Sequence, residues 1–506
     1  MIMHWSESLL KDVSGDQRIS TGISPSGPIH IGNMREILTG DIIYKEALKL
    51  GIRASFIYLC DDMDPLRKVY PFLPGSYERY VGHPLSMIPA PDGDKTYSEY
   101  FLEPFKETID KIDVRPEIIS TTSLYKNGVL SRAIDIAMNN REKIKNILNS
   151  IGNYKITGDW YPYEPVCKSC GRINTTTVIS YNYPYAEYKC KCGYTGKADI
   201  RTDDGKMPWR VEWPAKWFSL HVTIEPFGKD HGAAGGSYDT GKAIASDIFN
   251  INPPLPLLYE RIFLKGKGVM HSSTGVVIPA SEMIKFSPPE IIRFLIAKNN
   301  PGRHIDFDPG PGLLNLIDEY EKYERAYFGL DSVKDDDYKD VYELSRLKIL
   351  KEPEKITFRH IVTLVQIYNN NDALLSALKR SGYEKDYIDD YIMNEIDTAR
   401  YWLEKYAPPE MKFSLTDENI NLNDDERKIV NEFLENIDNI EWSPDSIHNY
   451  VYDIIGRSKM RPQDAFAVFY KILIGRSRGP RLGYFIYNLG REYIIKRFSS
   501  ILAETF

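Results

Sequence analysis

The segment from Arg18 to Ile23 can form a short strand, and the run from Arg53 to Cys60 reads as a second, buried strand. Between them Met34, Ile37, Leu38, Ile42, Ala47 and Leu48 recur at helical spacing, and Gly51 stops the helix. A strand–helix–strand unit of about 40 residues opens a parallel α/β sheet. The turn joining the first strand to the helix is Ser24-Pro25-Ser26-Gly27-Pro28-Ile29-His30-Ile31-Gly32-Asn33. Free N–H groups at a helix start attract phosphate, and small residues let a nucleotide approach the chain. His30 adds a donor for charge developing on a phosphoryl oxygen. Gly32 leaves room for a base or ribose.

The 506 residues exceed what one hydrophobic core organises, so several domains are expected. No apolar run reaches the ~18 residues of a membrane span. The start, Met1-Ile2-Met3-His4, lacks the basic and apolar regions of a signal peptide, which predicts a cytoplasmic protein. A net charge of -7 excludes a polycation, so a nucleic-acid partner must be met by a local basic face.

From about residue 75 to 205 the chain is less regular and rich in Pro, Tyr and Gly, as an insertion would be. Parallel α/β character returns with strand candidates from His221 to Ile224 and from Leu257 to Leu264. Beyond Gly310 helical patterns dominate. Asp230-His231-Gly232 suggests a hydrolase dyad, but no nucleophile elbow accompanies it, and that class is rejected.

Four of the five cysteines fall in one stretch. Cys167-x-x-Cys170-Gly171 and Cys190-x-Cys192-Gly193 are separated by 19 residues, and paired knuckles of this kind close a tetrahedral site. A structural Zn²⁺ on Cys167, Cys170, Cys190 and Cys192 is expected, with no open position for a catalytic water. Cys60 ends an apolar run and reads as a buried strand residue.

From Ile455 to Phe498, ten basic residues face only Asp464 and Glu492, and Phe466, Phe469, Tyr470, Tyr484, Phe485 and Tyr487 are interleaved. A basic face with aromatics suits phosphate contacts and stacking of unpaired bases. The alternative is a core of aromatics with solvated charges outside.

The string from Thr21 to Glu36, Thr-Gly-Ile-Ser-Pro-Ser-Gly-Pro-Ile-His-Ile-Gly-Asn-Met-Arg-Glu, resembles the His-Ile-Gly-His signature region of class I aminoacyl-tRNA synthetases. Within that class it is similar to the archaeal-type lysyl-tRNA synthetases. So are Asp61-Asp62-Met63-Asp64-Pro65-Leu66-Arg67-Lys68 and Glu225-Pro226-Phe227-Gly228-Lys229-Asp230-His231 with Gly235-Gly236-Ser237-Tyr238-Asp239. The resemblance implies an α/β protein. Its Rossmann-like parallel-sheet catalytic domain (1–75 and 205–265) carries a zinc-binding insertion that grips the acceptor end of tRNA (76–204). A signature-loop and stem-contact region (266–330) and a C-terminal all-helical anticodon-binding domain (331–506) follow.

The activity implied is that of a lysine–tRNA ligase. Lysine carboxylate attacks the α-phosphate of Mg²⁺·ATP, and the lysyl group then passes to the terminal ribose of tRNA(Lys). The partners are tRNA(Lys), lysine and ATP, with no membrane, the chain acting as a monomer. A synthetase for another amino acid such as glutamate, or a non-catalytic tRNA-binding paralogue, is the alternative. Pro25, Ser26, Gly27, His30, Gly32, Asn33, Met270 and His271 are expected at ATP. Gly22, Ser24, Trp213, His231 and Tyr259 are implied around lysine. Trp217 is added as a groove wall, and Asp62 and Asp230 as nearby negative charge. Arg476, Arg478 and Arg481, in a stretch resembling the lysyl family's Gly-Pro-Arg junction, are expected at tRNA.

The second class signature, a Lys-Met-Ser-Lys-Ser-type loop, is altered. Val269 stands at its first lysine and His271 at its first serine, while Met270, Ser272 and Ser273 remain. The lost cation is worth about 1–3 kcal/mol as a charge-assisted phosphate contact. Lys265, Lys267 or a protonated His271 is expected to supply the charge. Relatives carry further metal ligands in the region matching Pro91 to Phe101; this chain has none there, so no second metal is expected.

Overall fold

The computed structural model describes residues 3–270, 277–347, 353 and 356–503. The chain divides into two compact units, one comprising 1–284, 289–308 and 332–349, the other 285–288, 309–331 and 350–506.

The first unit is built on a five-stranded sheet. Its strands are β1 (Gln17–Ile23), β2 (Ala54–Cys60), β3 (Glu117–Ser120), β4 (Ile224–Gly228) and β5 (Leu255–Tyr259). They run parallel in the order β5-β4-β1-β2-β3. The register pairs Gln17 with Ala54 and Ile23 with Cys60. Phe56, Ile57, Tyr58, Leu59 and Cys60 are all buried, as a strand covered on both faces requires. Helix α1 (Ile31–Lys49) links β1 to β2 and buries Met34, Ile37, Leu38, Ile42 and Ala47. Gly40 sets its approach to the sheet: a Cβ there would lie 2.7 Å from the Phe56 ring and 2.8 Å from the Thr21 methyl.

Two strand boundaries differ from expectation. His221 is the left-handed C-cap (φ 53°) of helix α2 (Trp209–Leu220), and β4 starts only at Ile224. The run from Leu257 to Leu264 is two strands in different sheets. β5 ends at Tyr259, and Ile262–Leu264 pairs with Gly268–Val269 and Ile305–Phe307. The break falls on Glu260-Arg261, the charged pair that interrupts the apolar stretch.

The edge strand β3 comes from the stretch that reads as an insertion. Its four residues are too short to stand out from their Pro- and Tyr-rich surroundings. Further along, Thr176–Asn182, Tyr185–Cys190 and Thr195–Asp199 form an antiparallel sheet beside the cysteines. Among its described residues the second unit contains helices and no strand, from Pro311–Tyr327 to Arg491–Ala503. Ile429, Val430, Phe433, Val451, Phe469, Phe485 and Phe498 lie in its core. No described helix is long and apolar enough to cross a membrane.

Candidate functional site

Strand order reverses beside β1, with β2 and β3 on one side and β4 and β5 on the other. In such sheets ligands bind beyond the carboxyl ends at the reversal. The turn after β1, Asp61 to Asp64 after β2, Lys229 to His231 after β4 and Tyr259 at the end of β5 all converge there.

His30 is the N-cap of α1. Its N–H donates to Asn33 Oδ1 at 3.1 Å, while the Asn33 N–H donates to the His30 carbonyl at 2.8 Å, so Asn33 locks the turn. A Cβ on Gly32 would lie 2.9 Å from the His30 ring, so the imidazole rests on the glycine. Ile31 donates to Ile278 and Ala280 to Ile29, clamping the turn from the far side of the second signature. Met270 of that signature is buried, its methyl 3.8 Å from the same Cβ position on Gly32. The fold therefore joins the two signatures. His271, Ser272 and Ser273 lie outside the described residues.

A cavity of about 230 Å³ opens here, lined by Ser24, Ser26, Gly27, Asn33, Asp64 and Arg67. Pro25, between the lining residues Ser24 and Ser26, is buried. The space over Gly27 is taken by Phe72, whose ring would lie 2.7 Å from a Cβ. Lys265 and Lys267 flank the tip of a tight hairpin, Gly266 and Gly268 supplying its positive φ angles of 75° and 79°. Lys265 pairs with Asp308 at 3.0 Å. Lys267 is exposed and pairs with no carboxylate among the described residues.

Two of the residues expected around lysine, Gly22 and Tyr259, meet on Glu36. Its Oε1 accepts the Gly22 N–H at 2.8 Å and its Oε2 the Tyr259 hydroxyl at 2.9 Å. Burial raises its pKa to about 7, with Asp61 adding to the rise and the two hydrogen bonds opposing it. Another carboxyl, the buried Glu225, accepts both indole N–H groups of Trp213 and Trp217, the former at 2.8 Å. Burial raises it to about 8 against those bonds. Trp209 stacks on Trp213 at 5.3 Å, and His231 lies 5.7 Å from Trp213, its pKa lowered by burial.

Trp217 is 1% exposed and packs over Gly241, so it walls no groove directly; its indole orients Glu225. Asp62 is committed elsewhere, accepting from Ser120 and from the Thr122 N–H and hydroxyl. Asp230 makes an exposed ion pair with Arg261. Neither carboxylate meets Gly22 or Tyr259.

The carboxylate beside Ser24 is Asp64, which accepts the Ser24 hydroxyl and the ammonium of Lys206. Burial disfavours its charge, but Lys206 and Ser24 outweigh that and hold its pKa below the usual range. Behind it Lys216 is bonded to Asp61 and to Glu212 at 3.0 Å, and Tyr125 donates to Glu212 at 2.5 Å. Glu36, Asp64 and Glu225 thus join the site, although the sequence reading gave none of them a role. The available signal is that each lies inside one of the three strings that carry the family resemblance.

The four cysteines converge. Their sulfurs lie within 4.8 Å of one another, with Cys167–Cys192 and Cys170–Cys190 both at 3.7 Å. A tetrahedral Zn²⁺ with bonds of ~2.3 Å needs S···S separations of ~3.8 Å, so the donor set fits. The Cys170 N–H points at Cys167 Sγ (3.5 Å) and the Thr175 hydroxyl at Cys190 Sγ (3.2 Å), stabilising thiolate charge. Gly171 and Gly193, at φ 71° and 93°, make the turns that aim each pair.

In the second unit a cavity of about 820 Å³ is lined by Arg476, Arg478, Arg481, Tyr484, Phe413 and His360, among others. The Arg481 guanidinium lies 5.6 Å from the Tyr484 ring, and Arg476 donates to the Pro409 carbonyl. The expected arginines therefore share one concave, aromatic-lined face.

The family model described as tRNA synthetases class I (K) matches residues 3–348. The chain is 55% identical over 504 residues to the lysine–tRNA ligase of Thermoplasma acidophilum, covering 99% of each. It is 40% identical over 512 residues to that of Archaeoglobus fulgidus, covering 99% of this chain and 100% of the relative. A solved glutamate tRNA ligase from Elizabethkingia meningosepticum aligns over 96% of this chain and 99% of its own at 13% identity, with a TM-score of 0.43. With the two signatures joined at the switch point and relatives aligned end to end, the chain belongs to the class I lysyl-tRNA synthetases of the archaeal type.

Proposed function

We propose that this protein is a lysine–tRNA ligase, which activates lysine with ATP and passes it to the 3′-terminal ribose of tRNA(Lys). One observation carries the choice of amino acid beyond the family likeness. Gly22 and Tyr259, both expected around lysine, are bonded to a single half-buried carboxyl, Glu36, whose pKa is raised to about 7 by desolvation. An ammonium group brought to Glu36 favours the ionised form, and such a pairing in a desolvated site is strong. A glutamate side chain would meet like charge there. Trp209, Trp213 and His231 supply the apolar and cation–π surface for the lysine methylenes and the ammonium end.

ATP lies along the turn from Pro25 to Asn33, with Mg²⁺ brought by its phosphates. His30, Lys265 or Lys267, and Ser272 and Ser273 stabilise the charge that develops on the α-phosphate, so that positioning and electrostatics do most of the catalysis. Zn²⁺ on the four cysteines is structural and holds the insertion that meets the acceptor end. The arginine-lined cavity of the helical unit takes unpaired anticodon bases, Tyr484 and Phe413 offering stacking faces. We take the working form to be a cytoplasmic monomer, a mass that light scattering checks.

The decisive experiment is pyrophosphate exchange with tRNA present, run with each amino acid in turn. Lysine alone should support exchange. Exchange with glutamate instead would overturn the assignment, and exchange with none, alongside retained tRNA binding, would mark a non-catalytic paralogue altered at Val269 and His271.

A further inference from the structure

The four-cysteine knuckle reaches the cavity by two separate routes, and both end on Asp64. In the first, Ile173, three residues past Cys170, donates to the Gly82 carbonyl at 2.8 Å. The His83 ring lies against Gly171, where a Cβ would come within 2.7 Å of Nε2. Gly82 and His83 then exchange main-chain bonds with Leu66, at 2.8 and 2.9 Å, and Leu85 donates to the Asp64 carbonyl at 2.9 Å. In the second route, Val166, next to Cys167, donates to Asp204 at 2.7 Å, and Glu164–Pro165 pairs with Gly205–Lys206. The Lys206 side chain, 3% exposed, is bonded to the Asp64 carboxylate. The other carboxylate oxygen takes the Ser24 hydroxyl, and Ser24 and Asp64 line the same cavity. Asp64 is thus held through its main chain by the segment that follows Cys170 and through its side chain by the segment that precedes Cys167.

We infer that the four-cysteine knuckle sets the position of Asp64 and, through it, of Ser24 at the substrate cavity. His83 and Lys206 are positioning residues in this arrangement. Cross-linking the loops around 167–170 and 190–192 through one ion fixes the anchor points of both routes, which hydrogen bonds alone hold loosely. Only the ligand of the cavity rests on the function proposed above; the coupling rests on the contacts.

The test uses the full-length protein, as purified and after chelation, with zinc measured by elemental analysis. Amide hydrogen exchange should quicken on metal removal at residues 22–26, 62–67 and 82–86 as well as in 165–200, while α1 keeps its protection. His83→Ala should retain its zinc, show the same quickening at 62–67, and raise the lysine KM about 5- to 10-fold, as loss of one supporting contact would, with kcat within about twofold. His83→Gln, which keeps a hydrogen-bonding group against Gly171, should recover most of that loss. Quickening confined to 165–200, an unchanged lysine KM and 62–67 exchange in His83→Ala, or purified protein without zinc and with four titratable thiols, overturns the inference. Should no amino acid support exchange, the functional reading fails, and hydrogen exchange still decides the coupling.

Discussion

The Tyr259 hydroxyl donates to Glu36 Oε2 at 2.9 Å across 223 residues of chain, joining the end of β5 to the first turns of α1. Gly22 completes the arrangement from β1, so three elements of the sheet layer meet on one carboxyl. If that carboxyl receives the lysine ammonium, Glu36→Gln should raise the lysine KM about 100-fold, the range of a lost charge-assisted pair, and leave the ATP KM within about twofold. Tyr259→Phe, removing one neutral donor, should cost about 5- to 10-fold. Steady-state exchange kinetics check both, and an unchanged lysine KM in Glu36→Gln would show that the ammonium lies elsewhere.

Lysine affinity should depend on pH with a defined sign. Burial raises Glu36 to about 7, above its unfolded value, so the free site holds a proton that the ammonium must displace. Affinity should be full above about pH 7.5 and fall toward tenfold per pH unit below about 7. The free protein behaves oppositely. Glu36 and Glu225 bind more protons folded than unfolded, so their contribution to stability is present near pH 4.5 and lost as pH rises through about 7 and 8. Calorimetric titrations in buffers of different ionisation heat should record proton release on lysine binding near pH 6.5, and Glu36→Gln should abolish it.

His30 and Gly32 form one packing unit, the imidazole resting where a Cβ would stand. His30→Ala should slow adenylate formation by about 100-fold or more if the ring donates to the α-phosphate in the transition state. Gly32→Ala should do so as well although the histidine itself is retained, because a methyl 2.9 Å from the ring must displace it. Single-turnover adenylation measures both, and a near-normal rate in His30→Ala would remove the histidine from the chemistry.

The altered second signature leaves two candidate cations among the described residues, Lys265 and Lys267, with His271 outside them. Lys265 is already paired with Asp308, whereas Lys267 is exposed and has no such partner among the described residues. Lys267→Ala should therefore slow adenylation by about 10-fold or more with little change in lysine KM, since a cation aimed at the triphosphate is felt mainly as charge moves to pyrophosphate. Lys265→Ala should have the smaller effect. Val269→Lys should add little to the wild type but rescue Lys267→Ala. Neutral alanine variants with a large gain from Val269→Lys alone would mean that the loop is simply impaired.

Lys216 is 1% exposed and neutralises both Asp61 and Glu212. Lys216→Met strands the buried Asp61 carboxylate, while Glu212 keeps Lys206 at 3.4 Å, and should destabilise the first unit by about 3–5 kcal/mol. Lys216→Met combined with Asp61→Asn should recover part of that, because the orphaned charge is then gone. Thermal unfolding followed by tryptophan fluorescence checks both.

Much of this protein was legible from its sequence wherever the determinant is local. The strand–helix–strand unit follows from the period of its apolar residues, observed as Gln17–Ile23, Ile31–Lys49 and Ala54–Cys60. The phosphate-suited turn needs only neighbouring small residues and a helix start. The cysteine pairs need only short spacing and a glycine after each. What the tertiary structure alone decided are contacts between distant segments: Glu36 with Tyr259, Glu225 between two indoles, and Asp64 rather than Asp62 or Asp230 beside Ser24. Asp62 and Asp64 are neighbours in the chain, but Ser120 and Thr122 claim the first while Ser24 and Lys206 claim the second. Periodicity reports which face of an element is buried. Strand order and register decide which side chains meet beyond the strand ends, and these are settled only when the whole sheet packs.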